Sequence, residues 1–475
     1  ANIIEAGTTN GTVTDVDGKF SLSVDNKATI RVSYIGYLTQ DINTVGRTSF
    51  NITIQEDIET LDEVVVVGYG TLQRRDVTGS VGQVQSDQIN NRAAPRIDQA
   101  LIGQLAGVQV ISSTGQPGEG LNIRIRGVGS ISAGTQPLYV VDGFPNANIQ
   151  MLNPGDIETI DVLKDASSTA IYGSRGANGV VLITTKRGKE GKAKINFDVY
   201  YGWQKVQKIP KYLTMQEQAQ YYFEGIVNQN LDVKGNMSDP DPFKWKPYPV
   251  PKTILGVLGY PGYEPITESH DPFDYVYRTA PQQNYTLSVQ GGTDRIKYSV
   301  SGSYFAQEGI IIENNFKRYS LRTNLDAKIN ERVSMKLSLN TSYSTSRTIR
   351  SAGSSTGGEG IIGSAVTWMY WNPLYNDDGT YFDCFGTTDA SNNVLNPIAQ
   401  AKEIKRENED YRTLGNLNTE IMITKDLNLN FMLGTTNNSS HSWYFIPNIP
   451  IISRSELTPE GGDSRFLMLN WITET

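Results

Sequence analysis

The 475-residue chain carries 50 acidic and 42 basic side chains, for a formal net charge of −8, and its mean hydropathy is −0.37. One cysteine, Cys384, and two histidines, His270 and His441, exclude an internal disulfide framework, a cysteine-rich metal site and a multi-histidine zinc site. The mild acidic balance argues against a nucleic-acid binder, which would carry a basic footprint.

No stretch is long and apolar enough for a transmembrane helix. That leaves open a transmembrane β-barrel, whose alternating strands carry only a weak hydropathy signal.

Residues 1–57 read as a small antiparallel β-domain. Phe20, Leu22 and Val24 alternate with polar neighbours, as do Ile30, Val32 and Tyr34, and then Phe50, Ile52 and Ile54. Asp15-Val16-Asp17-Gly18 reads as a turn, because two carboxylates without further oxygen ligands fall short of a calcium shell. Residues 58–75 change character. Val64, Val65, Val66 and Val67 follow Asp62-Glu63 and precede Gly68-Tyr69-Gly70, which favours an extended strand. It is either one more core strand or a detachable strand that adds to another protein's sheet edge.

Residues 76–190 mix α and β. Ile97, Ala100, Leu101 and Leu105 fall at helical spacing with Gly107 as a stop, and Asp165 can cap a helix over 166–172 ended by Gly173. Residues 123–126, 138–141 and 179–185 read as strands. The glycine spacing in 173–179 matches no phosphate-binding loop.

From 191 to 475 the alternation becomes regular. Ile195-Phe197-Val199-Tyr201-Trp203 begins a series of eight strands with one apolar and one polar face, and the connections between them run long, short, medium, short, long, short, long. Loops sorted by parity mark an outer-membrane barrel, with tight turns towards the periplasm and long loops outside. The first strand then runs outward, so the preceding domain lies on the periplasmic side. A barrel of about eight strands is filled by its own side chains, whereas those near 22 strands hold a plug. The chain therefore reads as the front part of a longer one.

Several motifs resemble the SusC-like TonB-dependent transporters. They are Leu61 to Gly70, Ala100-Leu101-Ile102-Gly103 with Gly107 to Val110, Gly115 to Gly118 followed by Ile125 to Ser130, Pro137 to Gly143, and Val162 to Gly179. Asn372 to Tyr375 with Asp378 to Tyr381 is a looser match. Residues 1–57 resemble the family's carboxypeptidase-regulatory-like β-sandwich with its first strand absent, and no H-x-x-E supports peptidase activity.

The resemblance implies a mostly β fold. It consists of that sandwich, a TonB box and linker (58–75), an α+β plug (76–190), and the first eight of about 22 barrel strands (191–475). It implies active import of a glycan or oligopeptide, with no enzyme activity, cofactor or metal. The expected partners are TonB with ExbB and ExbD, a SusD-like lid lipoprotein, outer-membrane lipids, and a second SusC–SusD pair in a dimer. Asp62, Glu63, Val64, Val65, Val66, Val67, Gly68 and Tyr69 would be the TonB box. Arg126 would lock plug to barrel, with Asp142 either sharing that role or forming a turn. Trp245, Tyr248, Trp368, Tyr370, Trp371 and Tyr375 are candidate ligand contacts, since aromatic faces stack on sugars. Aromatics also anchor barrels at the membrane interface. A receptor or adhesin that binds without transporting is the alternative function.

Overall fold

A computed structural model describes residues 1–6, 8, 10–15, 18–25, 28–34, 37, 39–54, 64–67, 70–73, 81–90, 96–112, 114–127, 134–145, 147–350, 360–384, 394–425, 427–449 and 459–474. The chain divides into two compact units, Ala1–Val81 with Leu163–Gly176, and Gly82–Val162 with Ala177–Thr475.

In the first unit, β1 (Asn2–Glu5), β2 (Gly11–Val13), β3 (Thr29–Ser33) and β4 (Gln40–Asn43) form an antiparallel sheet in the order β2-β1-β3-β4. Ile3, Ile30 and Val32 are its buried centre, and Phe20, Leu22, Val24, Ile52 and Ile54 pack against them. Burial in 19–25 and 50–54 alternates with the expected period of two, while their backbone joins no ladder among the described residues. Asp15 and Gly18 form the expected turn: the Gly18 N–H donates to the Asp15 carbonyl (3.1 Å), and Gly18 has φ +79°. Asp17 lies outside the described residues. Further on, β5 (Val64–Val67) and β6 (Gly70–Gln73) pair as a two-stranded antiparallel hairpin, with Val64 opposite Gln73 and Val67 opposite Gly70.

The second unit opens with the plug. It comprises β7 (Val81–Gln85), α1 (Ser86–Asn90), α2 (Ile97–Ala100), β8 (Val108–Ile111), β9 (Asn122–Ile125), β10 (Leu138–Val141), β11 (Phe144–Pro145), β12 (Ile157–Leu163) and β13 (Val180–Thr185). The short helix α3 (Ala166–Thr169), between β12 and β13, falls in the first unit. The plug sheet runs β11-β10-β13-β12-β7, with β10 and β13 parallel, while β8 and β9 pair separately. Its core gathers Ile97, Leu101, Ile123, Phe144, Ile157, Ile160 and Val181. Helix α2 is shorter than the spacing predicts, because Gly103 (φ +69°) already turns the chain before Gly107. The α3 segment likewise gives way to a 3-10 turn over Ala170–Gly176, kinked at Gly173.

Eight strands follow in one antiparallel meander: β14 (Gly191–Gln204), β15 (Ala280–Gly292), β16 (Ile296–Glu308), β17 (Asn315–Lys328), β18 (Val333–Arg347), β19 (Lys405–Thr424), β20 (Leu427–Ile446) and β21 (Glu460–Glu474). Among the described residues each pairs only with its sequence neighbours, and the sheet is open, with β14 and β21 at its edges. The long connections 205–279 and 348–404 carry α4 (Met215–Asp232), α5 (Lys252–Val257), α6 (Phe273–Val276), α7 (Ile361–Thr367) and α8 (Pro397–Glu403). Strand β20 continues to Ile446, whereas the loss of alternation predicts a long loop over 436–464. Its backbone there is paired on both sides, to β19 and β21. Twenty residues exceed the 9–11 or so that cross a bilayer, so the strand runs on past the lipid at one end, where its side chains need not alternate.

The sheet is turned inside out relative to a soluble one. Its apolar face is exposed, including Phe197 (65%), Leu287 (51%) and Leu321 (54%), while Ser299, Ser301, Arg318, Arg322, Asn324, Asn340 and Asn416 are buried. Register adds a belt: Tyr285, Tyr304, Tyr319, Tyr343 and Tyr411 stand directly opposite one another on β15 to β19, with ring centroids 4.9–6.4 Å apart across the first four. Tyrosines gather where hydrocarbon meets headgroups, because the ring is apolar and the hydroxyl is wet. From Tyr319, the outward positions of β17 run to Ile329 beyond its end. At about 3.4 Å per residue and a tilt near 40°, that run rises about 26 Å, close to the apolar band of outer-membrane barrels. Leu325→Arg, near the middle of that run, is therefore expected to destabilise the protein by about 2–4 kcal/mol in phospholipid vesicles, read by urea titration. A neutral effect, as at a water-facing position, would show that this face does not meet lipid.

Candidate functional site

The plug is held on the polar inner wall by side chains that alternation had placed there. On β17 the inward positions include Arg318, Arg322, Asn324 and Asp326. Arg322 donates to the carbonyls of Asp156 (3.2 Å) and Lys186, with the Asp156 carboxylate 3.7 Å away. Asn324 donates to the Thr185 hydroxyl (3.0 Å) and to the Lys186 carbonyl (3.1 Å). Arg187 reaches back from the plug to Asp326 (2.6 Å) and Ser338 (3.1 Å). Asn153 donates to Thr286 on β15 (2.9 Å). Arg318 and Arg412 converge on Gln150, one on its backbone carbonyl and one on its side-chain carbonyl, each at 2.9 Å. A buried guanidinium is tolerated only when acceptors surround it, and here the plug's strand ends supply them as backbone carbonyls.

Asp142 serves both as turn and as contact. Asp142 (φ +48°) and Gly143 (φ +87°) join β10 to β11 as a two-residue hairpin with left-handed geometry at both positions. The Asp142 carboxylate accepts from the Thr185 amide (3.0 Å) and hydroxyl, and its carbonyl accepts from Asn416 of β19 (3.0 Å). Next to it, Phe144 lies against Gly434 of β20, where a Cβ would sit 2.3 Å from the ring. Arg126 is exposed on a left-handed turn (φ +55°), its amide donating to the Gly107 carbonyl. The buried plug–wall arginine contacts come from Arg318 and Arg322 on the wall, because the plug offers carbonyls there. Their signal was present in the sequence: two arginines four apart on the lumen-facing side of a strand need acceptors from whatever fills the lumen.

Inside the plug, Arg96 and Asp98 form a buried bidentate pair (2.7 Å). Arg96 also donates to the Gly118 carbonyl (2.7 Å), and Asp98 accepts from the Leu121 amide (2.9 Å), so the pair pins the loop 114–121. Burial, with the nearby Asp98 charge, pushes the Tyr139 hydroxyl well up. Between this loop and β17–β19 lies a cavity of about 630 Å³, lined by Gln116, Glu119, Gln150, Arg318, Ser344, Arg406, Asp410 and Arg412, among others.

The long loops fold on each other rather than standing apart. Gln218 of α4 donates to the Trp368 carbonyl (3.2 Å) and accepts from the Tyr370 amide (3.0 Å). Trp368, Tyr370 and Trp371 are buried there. Trp368 sits with Phe273, Ile361 and Cys384, and the other two with Met215 and Leu255. They build the loop core, so their rings are not stacking faces at the surface. Tyr375 is half-buried beside Tyr381, opposite it in a small turn around Asp378-Gly379. Trp245 is half-buried against Phe223, and Tyr248 is exposed. Burial, then Asp271, push Tyr370 up to about 12. Tyr263 donates to Asp241 (2.5 Å), which holds that carboxyl below its usual range.

Of the expected TonB box, only Val64 to Val67 lie among the described residues; Asp62, Glu63, Gly68 and Tyr69 fall outside them. Among the described residues no cluster of three metal-ligating side chains occurs. Arg322→Met should leave Asp156 and two carbonyls without their cation and weaken plug docking by about 3–5 kcal/mol. Hydrogen exchange at amides 185–187 should then rise well above wild type, whereas unchanged protection would remove Arg322 from the clamp.

Comparison with known proteins agrees with this architecture. Residues 73–180 match the family described as TonB-dependent receptor plug domain, and residues 1–66 match the CarboxypepD_reg-like domain. A TonB-dependent receptor of Formosa agariphila is 35% identical over 418 residues, covering 86% of this chain and 38% of that protein. The TonB-dependent receptor SusC of Bacteroides thetaiotaomicron is 33% identical over 460 residues, covering 91% and 42%. The chain thus spans about two fifths of the length of the curated relatives it matches. Among solved structures, the RagAB peptide importer in its open-open state superposes with a TM-score of 0.69 at 28% identity, covering 86% of this chain and 46% of that one. With plug, preceding domain and inside-out sheet in this order, the chain belongs to the SusC-like TonB-dependent receptors.

Proposed function

We propose that this chain takes part in TonB-dependent import of a nutrient, a glycan or an oligopeptide, across the outer membrane. The observation that carries the reading is the plug's attachment. It rests on the wall chiefly through hydrogen bonds and ion pairs between polar groups, which water can replace one at a time, beside a smaller apolar contact at Phe144 and Leu414. A seal made this way holds at rest and can be peeled by force, whereas a hydrophobic joint would resist entry of water.

The pull would enter through residues 62–69. Within the hairpin, β5 pairs with β6 alone among the described residues, which leaves its other edge for an added strand of TonB. An isolated two-stranded hairpin is marginal in water, so exchanging β6 for a partner strand costs little. In this reading TonB, with ExbB and ExbD, transmits the inner-membrane proton gradient. A SusD-like lipoprotein closes the barrel from outside, two such pairs associate, and the chain performs no chemistry on its cargo. The folded loops over 205–279 and 348–404 suit docking of that lid, because their packed cores give it a firm surface. RagAB, a peptide importer by its description, supports the transport class without deciding the cargo.

Deleting residues 62–69 from the chromosomal gene should abolish growth on the imported nutrient while leaving cell-surface binding of it unchanged. Undiminished uptake would sink the mechanism and favour a receptor that binds without transporting.

A further inference from the structure

The cavity between plug loop 114–121 and the inner wall is more cationic than its surroundings require. Arg318, Arg350, Arg406 and Arg412 line it, against Glu119 and Asp410. Among the described residues Arg412 alone of these forms an ion pair, with Asp410 at 3.4 Å. Arg318 is 2% exposed, yet its Nε and Nη2 have no hydrogen-bond partner, and no carboxylate pairs with it among the described residues. Arg406 leaves Nε unpartnered and lies over the Tyr444 ring at 5.2 Å. Gathering guanidinia without counter-charges is unfavourable unless an anion joins them.

The rest of the lining narrows the anion's class. The inward hydroxyls Ser342, Ser344 and Ser346 run along β18, with Thr348 just past its end. Register sets Arg318, Ser344 and Asp410 in one row across the sheet, and Ser342 and Arg412 in the next. Gln116 and Gln150 face them from the plug. Strands β17 to β19 are paired on both edges, so no edge is open to take a peptide backbone. Hydroxyls and amides around fork-shaped cations suit a ligand dense in hydroxyls and bearing planar or tetrahedral anionic groups.

Resting on the import reading above, the geometry points to an oligosaccharide carrying carboxylate or sulfate groups as the ligand of this cavity. The anionic groups lie on Arg318, Arg406 and Arg412, and the ring hydroxyls lie along the β18 serines.

Isothermal titration of the intact protein in detergent tests this with four probes of equal length: hexagalacturonate, a sulfated carrageenan hexasaccharide, maltohexaose and hexaglutamate. At least one anionic sugar should bind ten-fold or more tightly than maltohexaose and hexaglutamate, and the stronger arm identifies carboxylate or sulfate. Arg406→Gln and Arg350→Gln, both outside the plug clamp, should each weaken that binding at least five-fold, and Arg318→Met should do the same where it folds. Equal binding of maltohexaose, tighter binding of hexaglutamate, no binding of any probe, or indifference to Arg406→Gln would each overturn the assignment. The titration needs no TonB, so a failed titration leaves the import reading standing. Uptake that survives loss of residues 62–69 would overturn import but not this site.

Discussion

Everything in the larger unit depends on one inversion: its eight-stranded sheet buries its polar face and exposes its apolar one. In water such a sheet would be unstable on both counts, leaving apolar side chains wet and desolvating arginines and asparagines. It becomes consistent only when lipid covers the outside and a second polar body covers the inside. The tyrosine belt across β15 to β19 marks where the outer solvent changes. The plug supplies the inner cover, and it does so with backbone carbonyls at its strand ends as much as with side chains.

That arrangement couples fold to function. Lumen-facing arginines cannot be left bare in a low-dielectric wall, so the plug is a structural requirement of the wall as well as its stopper. Most of its contacts are hydrogen bonds and ion pairs, beside a smaller apolar contact at Phe144 and Leu414, and in the import reading water would take over the polar ones as the plug is remodelled. Asn324 and Asn416 clamp it from one row of the wall and Arg322 from a neighbouring row, while Arg187 reaches back from the plug. The cavity with its surplus of guanidinia lies beside Gln150, which both Arg318 and Arg412 hold. Ligand at those arginines would therefore compete for the groups that also seat the plug.

Much of this was legible in the residues. Period-two alternation marked the eight strands, and short and long connections alternate between them as expected. Asp142-Gly143 announced a hairpin that the structure contains. What resisted reading was non-local. Arg126 stands in the family's plug motif and drew attention, but the arginines buried against the plug contact partners 136–168 positions away in the chain, a pairing no local pattern carries. Trp368, Tyr370 and Trp371 resembled ligand contacts because a loop rich in aromatics usually exposes them. Their burial arises only when two loops separated by four strands pack together. The upper half of β20 escaped because its polar tract lacks alternation, while its ladder is set by the neighbouring strands.

The inversion itself is open to direct measurement. A single spin label walked through positions 335–341 of β18, in a Cys384→Ala background and in lipid vesicles, reports the solvent at each side chain. Labels at 335, 337, 339 and 341 should be relaxed by oxygen dissolved in the bilayer and not by a water-soluble nickel chelate. Those at 336, 338 and 340 should be shielded from oxygen. Loss of that two-residue period, or nickel access at the odd positions, would contradict the account.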